Sequence, residues 1–339
     1  MIDHNLLERL RESKNLLAFS GGVDSTALFF ALIDDAIDFD CAIVNYHTRE
    51  NSDLEAAYAK ELCDRYDKRL YTLDAKLGES AIEASARKIR YDFFETIVAD
   101  HGYGNLITAH QLNDWLEWFL MQTCKGAGFF ELSGMRHIED RGRYRLIRPL
   151  LSTSRDEIEG FINNRKIKVF LDISNGSRRF LRNRFRIDFA APLMRLSKEG
   201  IKRTFLALQN DRARFETTDT QIKIERLTVI YTNAIDAIRK ADLALKNLGV
   251  LSSWKERAKL NAQKNFVAAR KIAVCFSLEA IWIAPYEKAA PTKKFRERCR
   301  IMSVPPHIRP YLFNASIDLD LIDIFLRRNS TAADRPDRP

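Results

Sequence analysis

Seven residues near the start of the chain, Ser20-Gly21-Gly22-Val23-Asp24-Ser25-Thr26, carry its densest chemical signal. Two glycines let the backbone come close to an anion. Ser20, Ser25 and Thr26 add hydroxyls. The N–H groups at a helix start point at a bound phosphate. Asp24 is the odd member, because a carboxylate repels phosphates unless a divalent cation lies between them. The set suggests a site for a nucleotide with its metal, Asp24 being the metal ligand. It is not a Walker A loop, since no Gly-Lys-Ser/Thr follows. An isolated Gly-Gly beside a capping Ser or Asp would be an ordinary tight turn. Here strand-like Leu16-Leu17-Ala18-Phe19 precedes it and helix-compatible Ala27-Leu28-Phe29-Phe30-Ala31-Leu32 follows.

Further candidates lie downstream. In His110-Gln111-Leu112-Asn113-Asp114-Trp115-Leu116-Glu117, Asp114 and Glu117 share a helical face. They are either helix N-terminal acids favouring the macrodipole, or a pair able to hold a cationic amine or a metal. Arg87 and Arg90 share a face of the helical pattern that precedes Phe93 and Phe94. They suit either solvent or a phosphate. Arg178-Arg179-Phe180-Leu181-Arg182-Asn183-Arg184-Phe185-Arg186 interleaves arginine with aromatics. That mixture fits a phosphate backbone and unstacked bases, or else a solvated basic helix. With 55 Lys and Arg against 46 Asp and Glu, the formal charge of +9 favours an anionic partner.

These residues need a frame to hold them. Apolar strand patterns end at Phe19, Tyr46, Leu73 and Ala109, with helical patterns over Asp53–Tyr66, Ser80–Ala99 and Asp114–Cys124. Alternating strands and helices predict an α/β fold with a doubly wound parallel sheet. Ligands of such sheets bind at the carboxyl ends of the strands, where the Ser20–Thr26 loop, His47–Arg49 and His110–Glu117 all fall. Tyr144–Arg148 alternates like an edge strand, and Ser154-Arg155-Asp156-Glu157 opens a capped helix. The expected organisation is a nucleotide-binding domain over 1–190, a helical linker over 191–220, a small α+β domain over 221–328 and a disordered tail over 329–339. A hydrophobic strand pair around Lys271–Pro285 and the basic stretch Lys293–Arg300 mark the small domain, whose basic face is expected to dock RNA.

Five cysteines, at 41, 63, 124, 275 and 299, form no Cys-x-x-Cys pair. That argues against a disulfide framework, a zinc knuckle or a cluster built from close pairs. Each reads as a small buried apolar residue in a reducing compartment. No signal-peptide pattern and no run of eighteen apolar residues occurs, so a cytoplasmic protein without membrane partners is expected. The oligomeric state is not readable.

In its strand–turn–helix setting, Ser20–Thr26 closely resembles the PP-loop of ATP pyrophosphatases. There the loop holds the β- and γ-phosphates, the α-phosphate is attacked, and pyrophosphate leaves. In chain order the motifs resemble those of the tRNA(Ile)-lysidine synthetase family: Ser20–Ser25, the His47/Arg49 region, Ala86-Arg87-x-x-Arg90-Tyr91, His110 with Asp114 and Glu117, Lys125–Gly128, Leu132–Met135, Arg148–Leu151 and Arg182–Arg186. The resemblance covers residues 14–190 well and the rest weakly. It departs at Gln111, Asn113, Trp115 and Trp118, where the family usually shows His, Asp, Gln and Thr. Tyr46-His47-Thr48-Arg49 is also one residue shorter than the usual Asp-His-Gly-Leu-Arg.

The resemblance implies ATP and Mg²⁺ as cofactors, and a tRNA(Ile) with a CAU anticodon and free L-lysine as partners. ATP would adenylate C2 of the wobble cytidine, and the lysine ε-amine would then displace AMP. It implies that Ser20 to Thr26, His47 and His110 contact the nucleotide and Asp24 the metal. Arg90 and Arg182 would neutralise phosphate charge, while Asp114 and Glu117 would hold and deprotonate the amine. A tRNA thiolase on the same fold is the nearest alternative, but Cys124, close to the rim, has no partner cysteine. A small-molecule NAD or GMP synthetase fits the arginine-rich stretches less well. A non-catalytic RNA-binding protein would not need the intact loop.

Overall fold

The computed structural model describes residues 1–47, 52–75, 83–170, 178, 181–217, 220–231, 240–242, 244–245, 248–250, 265–277 and 280–333. The expected contacts at Thr48 and Arg49, the helix start at 80–82, and Arg179 and Phe180 lie outside them. The chain forms two compact units, residues 1–212 and 213–339.

The first unit opens with α1 (His4–Arg11), which buries Leu6, Leu7 and Leu10 under an Asp3 N-cap. Then follow β1 (Asn15–Ala18), α2 (Val23–Asp34), β2 (Asp40–Asn45), α3 (Ser52–Arg65), β3 (Leu70–Asp74), α4 (Glu83–His101), β4 (Asn105–Ile107) and α5 (Leu112–Cys124). The short α6 (Phe129–Leu132), β5 (Ile138–Asp140), β6 (Arg145–Ile147) and α7 (Arg155–Asn164) come next. α8 (Leu181–Arg184) passes through a π-helical turn, Phe185–Ala190, into α9 (Ala191–Thr217), which kinks at Ser197.

The sheet order is β3-β2-β1-β4-β6-β5. All neighbours pair in parallel except β5 with β6. Helices cover both faces, which is why the strands read as near-continuous apolar runs. Leu16, Ala42, Leu106 and Leu146 pack on one face with Phe94, Ile97 and Val98 of α4. Leu17, Ile43, Ile107 and Ile147 pack on the other with α2, α3 and α7. This corrects one expectation. Tyr144–Arg148 is not the sheet edge, because β6 lies between β4 and β5. Its adjacent Leu146 and Ile147 are both buried, one on each face. The edge on that side is the short β5, and β3 forms the other edge.

The second unit holds β7 (Thr220–Ile224), β8 (Leu227–Tyr231), β9 (Asn265–Ala268), β10 (Ile272–Phe276) and β11 (Ala280–Pro285) in the antiparallel order β7-β8-β11-β10-β9. The strand pair anticipated around Lys271–Pro285 is β10 with β11. One face packs Leu227, Val229, Cys275 and Trp282 against Cys299, Ile308, Leu312 and Ile322. These last four come from α10 (Lys293–Ile301), α11 (Arg309–Asn314) and α12 (Leu319–Ala333) and their connections. α12 runs to Ala333, into the stretch expected to be disordered; residues 334–339 lie outside the described chain. No helix among the described residues is long and apolar enough to cross a membrane.

Four cysteines are buried as expected, but Cys124 is exposed. It ends α5 between exposed Thr123 and Lys125, beyond the part of the helix that packs.

Candidate active site

The carboxyl ends of the parallel strands form one rim, and the loop after β1 sits at its centre. Gly21 has φ +73°, and a Cβ there would lie 3.0 Å from Glu55 Cβ on α3. Both the backbone angle and the lack of space demand glycine. Ser25 Oγ donates to Gly22 O at 3.1 Å and lies 3.0 Å from Ser20 Oγ. Thr26 Oγ1 donates to Gly21 O at 3.3 Å. Phe170 N donates to the same carbonyl at 3.4 Å, tying the chain beyond α7 to the loop. The hydroxyls thus hold the loop's shape, and Val23, Asp24 and Ser25 form the first turn of α2, whose N–H groups suit an anion.

Asp24 is engaged by a residue that sequence reasoning missed. Arg155 Nη1 reaches its two oxygens at 3.0 and 2.9 Å. Burial lifts the Asp24 carboxyl to about 6, against the pull of Arg155 and with help from the negative field of Asp114. Arg155 begins α7 inside a capping box formed by Ser154 and Glu157. Its Nε donates to Glu159 at 2.6 Å and its backbone N to Asn113 Oδ1 at 3.1 Å. The signal was present, because the Ser154–Glu157 box fixes Arg155 as the first helical residue. What the box does not say is where that helix starts relative to the loop.

Asp114 and Glu117 sit on α5, whose other side buries Leu112, Trp115 and Leu116, with Trp115 stacked on Phe205 at 4.7 Å. A capping box of Gln111 and Asp114 sets the helix start, with Gln111 N donating to Asp114 Oδ2 at 3.1 Å. The macrodipole and site readings of Asp114 therefore both apply: one oxygen caps, the other faces the rim. Asp114 Oδ1 accepts from Arg182 Nη2 at 2.9 Å. Glu117, only 1% exposed, accepts from Arg182 Nε at 2.9 Å and from Arg186 Nε at 2.6 Å. Arg186 was not singled out, although its i,i+4 spacing from Arg182 was legible. This part of the arginine-rich segment is thus turned inward onto carboxylates.

His110 joins the same neighbourhood. Its Nδ1 lies 2.9 Å from Thr108 Oγ1. Burial pushes the imidazole down to about 3; Arg148, Arg87 and Arg182 act in the same sense, and Asp114 opposes them. At neutral pH it is an uncharged hydrogen-bonding group. His47 stands apart, at the end of β2, its ring nitrogens 2.9 Å from Asp53 Oδ1 and 2.9 Å from Asp74 Oδ1. Arg90 lies on α4 near Tyr46, and its buried Nε has no hydrogen-bond partner. The structure therefore brings together Asp24, His110, Asp114, Glu117 and Arg182, adds Arg155 and Arg186, and places His47 and Arg90 at the neighbouring strand end.

The residues suit a metal that arrives with its ligand. Mg²⁺ usually takes one or two carboxylates plus phosphate oxygens. Asp24 beside the α2 N-terminus offers that set, and no group of three or more His, Cys, Asp or Glu among the described residues could cage an ion alone.

The glycine turn, the helix start and the parallel rim together define a PP-loop domain, the ATP-utilising class, and the PP-loop family model matches residues 3–193. Relatives align almost end to end. The tRNA(Ile)-lysidine synthase of Campylobacter jejuni is 40% identical over 94% of this chain and 98% of its own. That of Wolinella succinogenes is 41% identical over 92% and 96%. That of Helicobacter pylori is 36% identical over 91% of each. The chain belongs to the tRNA(Ile)-lysidine synthase family of ligases.

Proposed function

We propose that this chain adenylates the C2 oxygen of the wobble cytidine in a CAU-anticodon tRNA(Ile), releasing pyrophosphate, and then joins the ε-amine of lysine to C2 as AMP leaves. The product base, lysidine, pairs with A, so the tRNA reads AUA. The reaction is placed in the cytoplasm. The observation that carries this reading is the shared rim: an ATP-type loop with a metal-suited carboxylate lies beside a second carboxylate pair fit to receive an amine.

Ser20 to Thr26 and the α2 N-terminus hold the leaving pyrophosphate. Asp24 would hold Mg²⁺ together with phosphate oxygens, and the metal would supply charge neutralisation there. Arg90, with its unpartnered buried Nε, adds positive charge from α4. Neutral His110 offers a hydrogen bond to the nucleotide without adding charge, and His47 bounds the nucleotide side at the end of β2. In the second step Asp114 and Glu117 receive the lysine ammonium and take its proton, because a protonated amine is no nucleophile. Arg182 and Arg186 keep those carboxylates neutralised in the free protein.

The test is incubation of the protein with ATP, labelled lysine and a CAU-anticodon tRNA(Ile) transcript. Lysine incorporation is expected. RNA binding without incorporation would contradict the reading, and sulfur incorporation from a sulfur donor would favour the thiolase.

A further inference from the structure

The Arg155–Asp24 pair has an unusual electrostatic placement. Asp24 is in the first turn of α2, where the helix field already favours a negative charge. Arg155 is the first residue of α7, where the helix field disfavours a positive one, and Asp156 and Glu157 in the same turn complete the capping that such an end prefers. The guanidinium thus sits at two helix N-termini that together suit an anion. For the guanidinium that position is unfavourable, so joining α2 to α7 does not by itself call for a cation there. A cation waiting for phosphate does, because a guanidinium matches phosphate oxygens in a two-pronged geometry.

The contact itself is of an exchangeable kind. One nitrogen, Nη1, spans both Asp24 oxygens, while Nε is held by Glu159. The two side chains are 31% and 28% exposed, so neither is locked in the core. The stem is fixed at the capped helix start, so the side chain can turn without unfolding its element. Glu159 would keep hold of Nε while the Nη atoms change partner.

We propose that Arg155 is a stand-in cation: it occupies Asp24 in the free protein, keeps metal out until nucleotide arrives, and then moves to the nucleotide's phosphates as Mg²⁺ takes its place on the carboxylate. This rests on the reading of Ser20–Thr26 as the ATP site. It makes metal and nucleotide enter as one unit, and it gives α7 a part in phosphate binding. Asp24 keeps a cationic partner throughout, the guanidinium before and the metal after, while the displaced Arg155 offsets part of the phosphates' negative charge.

The experiment measures Mn²⁺ binding by electron paramagnetic resonance at pH 8, with and without a non-hydrolysable ATP analogue, on the wild-type chain, R155M and R155K. Wild type is expected to bind Mn²⁺ weakly alone and tightly with the analogue. R155M should bind Mn²⁺ alone at least tenfold more tightly than wild type, and the analogue at least tenfold more weakly. R155K, which keeps the charge, should exclude Mn²⁺ as wild type does, and its thermal unfolding gives a check on folding. Equal Mn²⁺ binding by wild type and R155M without nucleotide would overturn the inference while leaving the ATP site intact. Failure of every protein, wild type included, to bind Mn²⁺ with the analogue would overturn the ATP-site reading itself, and the inference with it.

Discussion

Two carboxylate–arginine contacts share one rim, and they are built differently. At the first, Asp24 meets one nitrogen of one guanidinium, both side chains are near 30% exposed, and burial has lifted the carboxyl to about 6. At the second, Glu117 is 1% exposed and accepts from both Arg182 and Arg186, while Asp114 caps its own helix. The first has the character of a place where a ligand replaces a side chain. The second binds the π-helical turn to α5 and belongs to the frame as well as to the site. Removing one partner from such a buried node costs about 3–5 kcal/mol, whereas a half-exposed pair is worth far less. A rim can therefore hold one carboxylate ready for exchange because its neighbour fixes the geometry.

This contrast can be broken at several points. The largest effect is expected for Asp24→Ala, which should lower pyrophosphate release on the order of 10³-fold while leaving the unfolding midpoint close to that of wild type. An unfolding shift as large as that of a Glu117 variant would erase the distinction. Next is Gly21→Ala. The added methyl must share space with Glu55 at φ +73°, a strain of about 1–3 kcal/mol. Weaker binding of an ATP analogue together with a lower urea midpoint is expected, and unchanged binding would show that the loop tolerates the distortion.

The smallest effect is on pH dependence. His110 is held below its ordinary 6.5, at about 3, so the unfolded chain takes up this proton first as pH falls. Its stabilisation is complete above 6.5 and is lost as pH drops toward 3. Asp24 works in the opposite sense. Its carboxyl is raised from 3.8 to about 6, so its contribution is complete below 3.8 and is lost as pH rises through 6. Between pH 4.5 and 6 the two slopes oppose each other. His110→Gln leaves the Asp24 slope alone, so the variant should lose about 1–2 kcal/mol relative to wild type in the change from pH 4.5 to 6, read from urea midpoints. Parallel profiles would show that His110 titrates freely in the folded chain.

Much of this was legible because strand ends and helix starts have local signatures. Leu16–Phe19, the glycine turn and the apolar run after it are enough to put Asp24 at the rim. Spacing put Asp114 and Glu117 on one side of α5. The Ser154–Glu157 box was equally plain, yet Arg155 was not assigned to Asp24, because contact between residues 131 apart is a property of sheet order. The run holding Arg182 and Arg186 reads as an RNA-contacting or solvated face, with Arg182 implied as a phosphate partner. Its pairing with Asp114 and Glu117 went unread for the same reason: an arginine-rich run looks alike whether it faces an anion, solvent or a buried glutamate. β6 was misplaced because an edge strand and a short buried strand differ in their neighbours more than in their residues. In the second unit, β7, β8 and β9 were unread, since short strands such as Thr220–Ile224 carry few residues for a period to show.

The most direct test of two carboxylate sites serving successive steps is Glu117→Gln, which keeps size and one acceptor oxygen but removes the charge. Pyrophosphate release and lysine transfer to the CAU-anticodon transcript are measured side by side, with unfolding as control. A folded variant that still releases pyrophosphate but transfers lysine at least a hundredfold more slowly is the predicted result. Lysine transfer at the wild-type rate would contradict the assignment of the second carboxylate site to the amine.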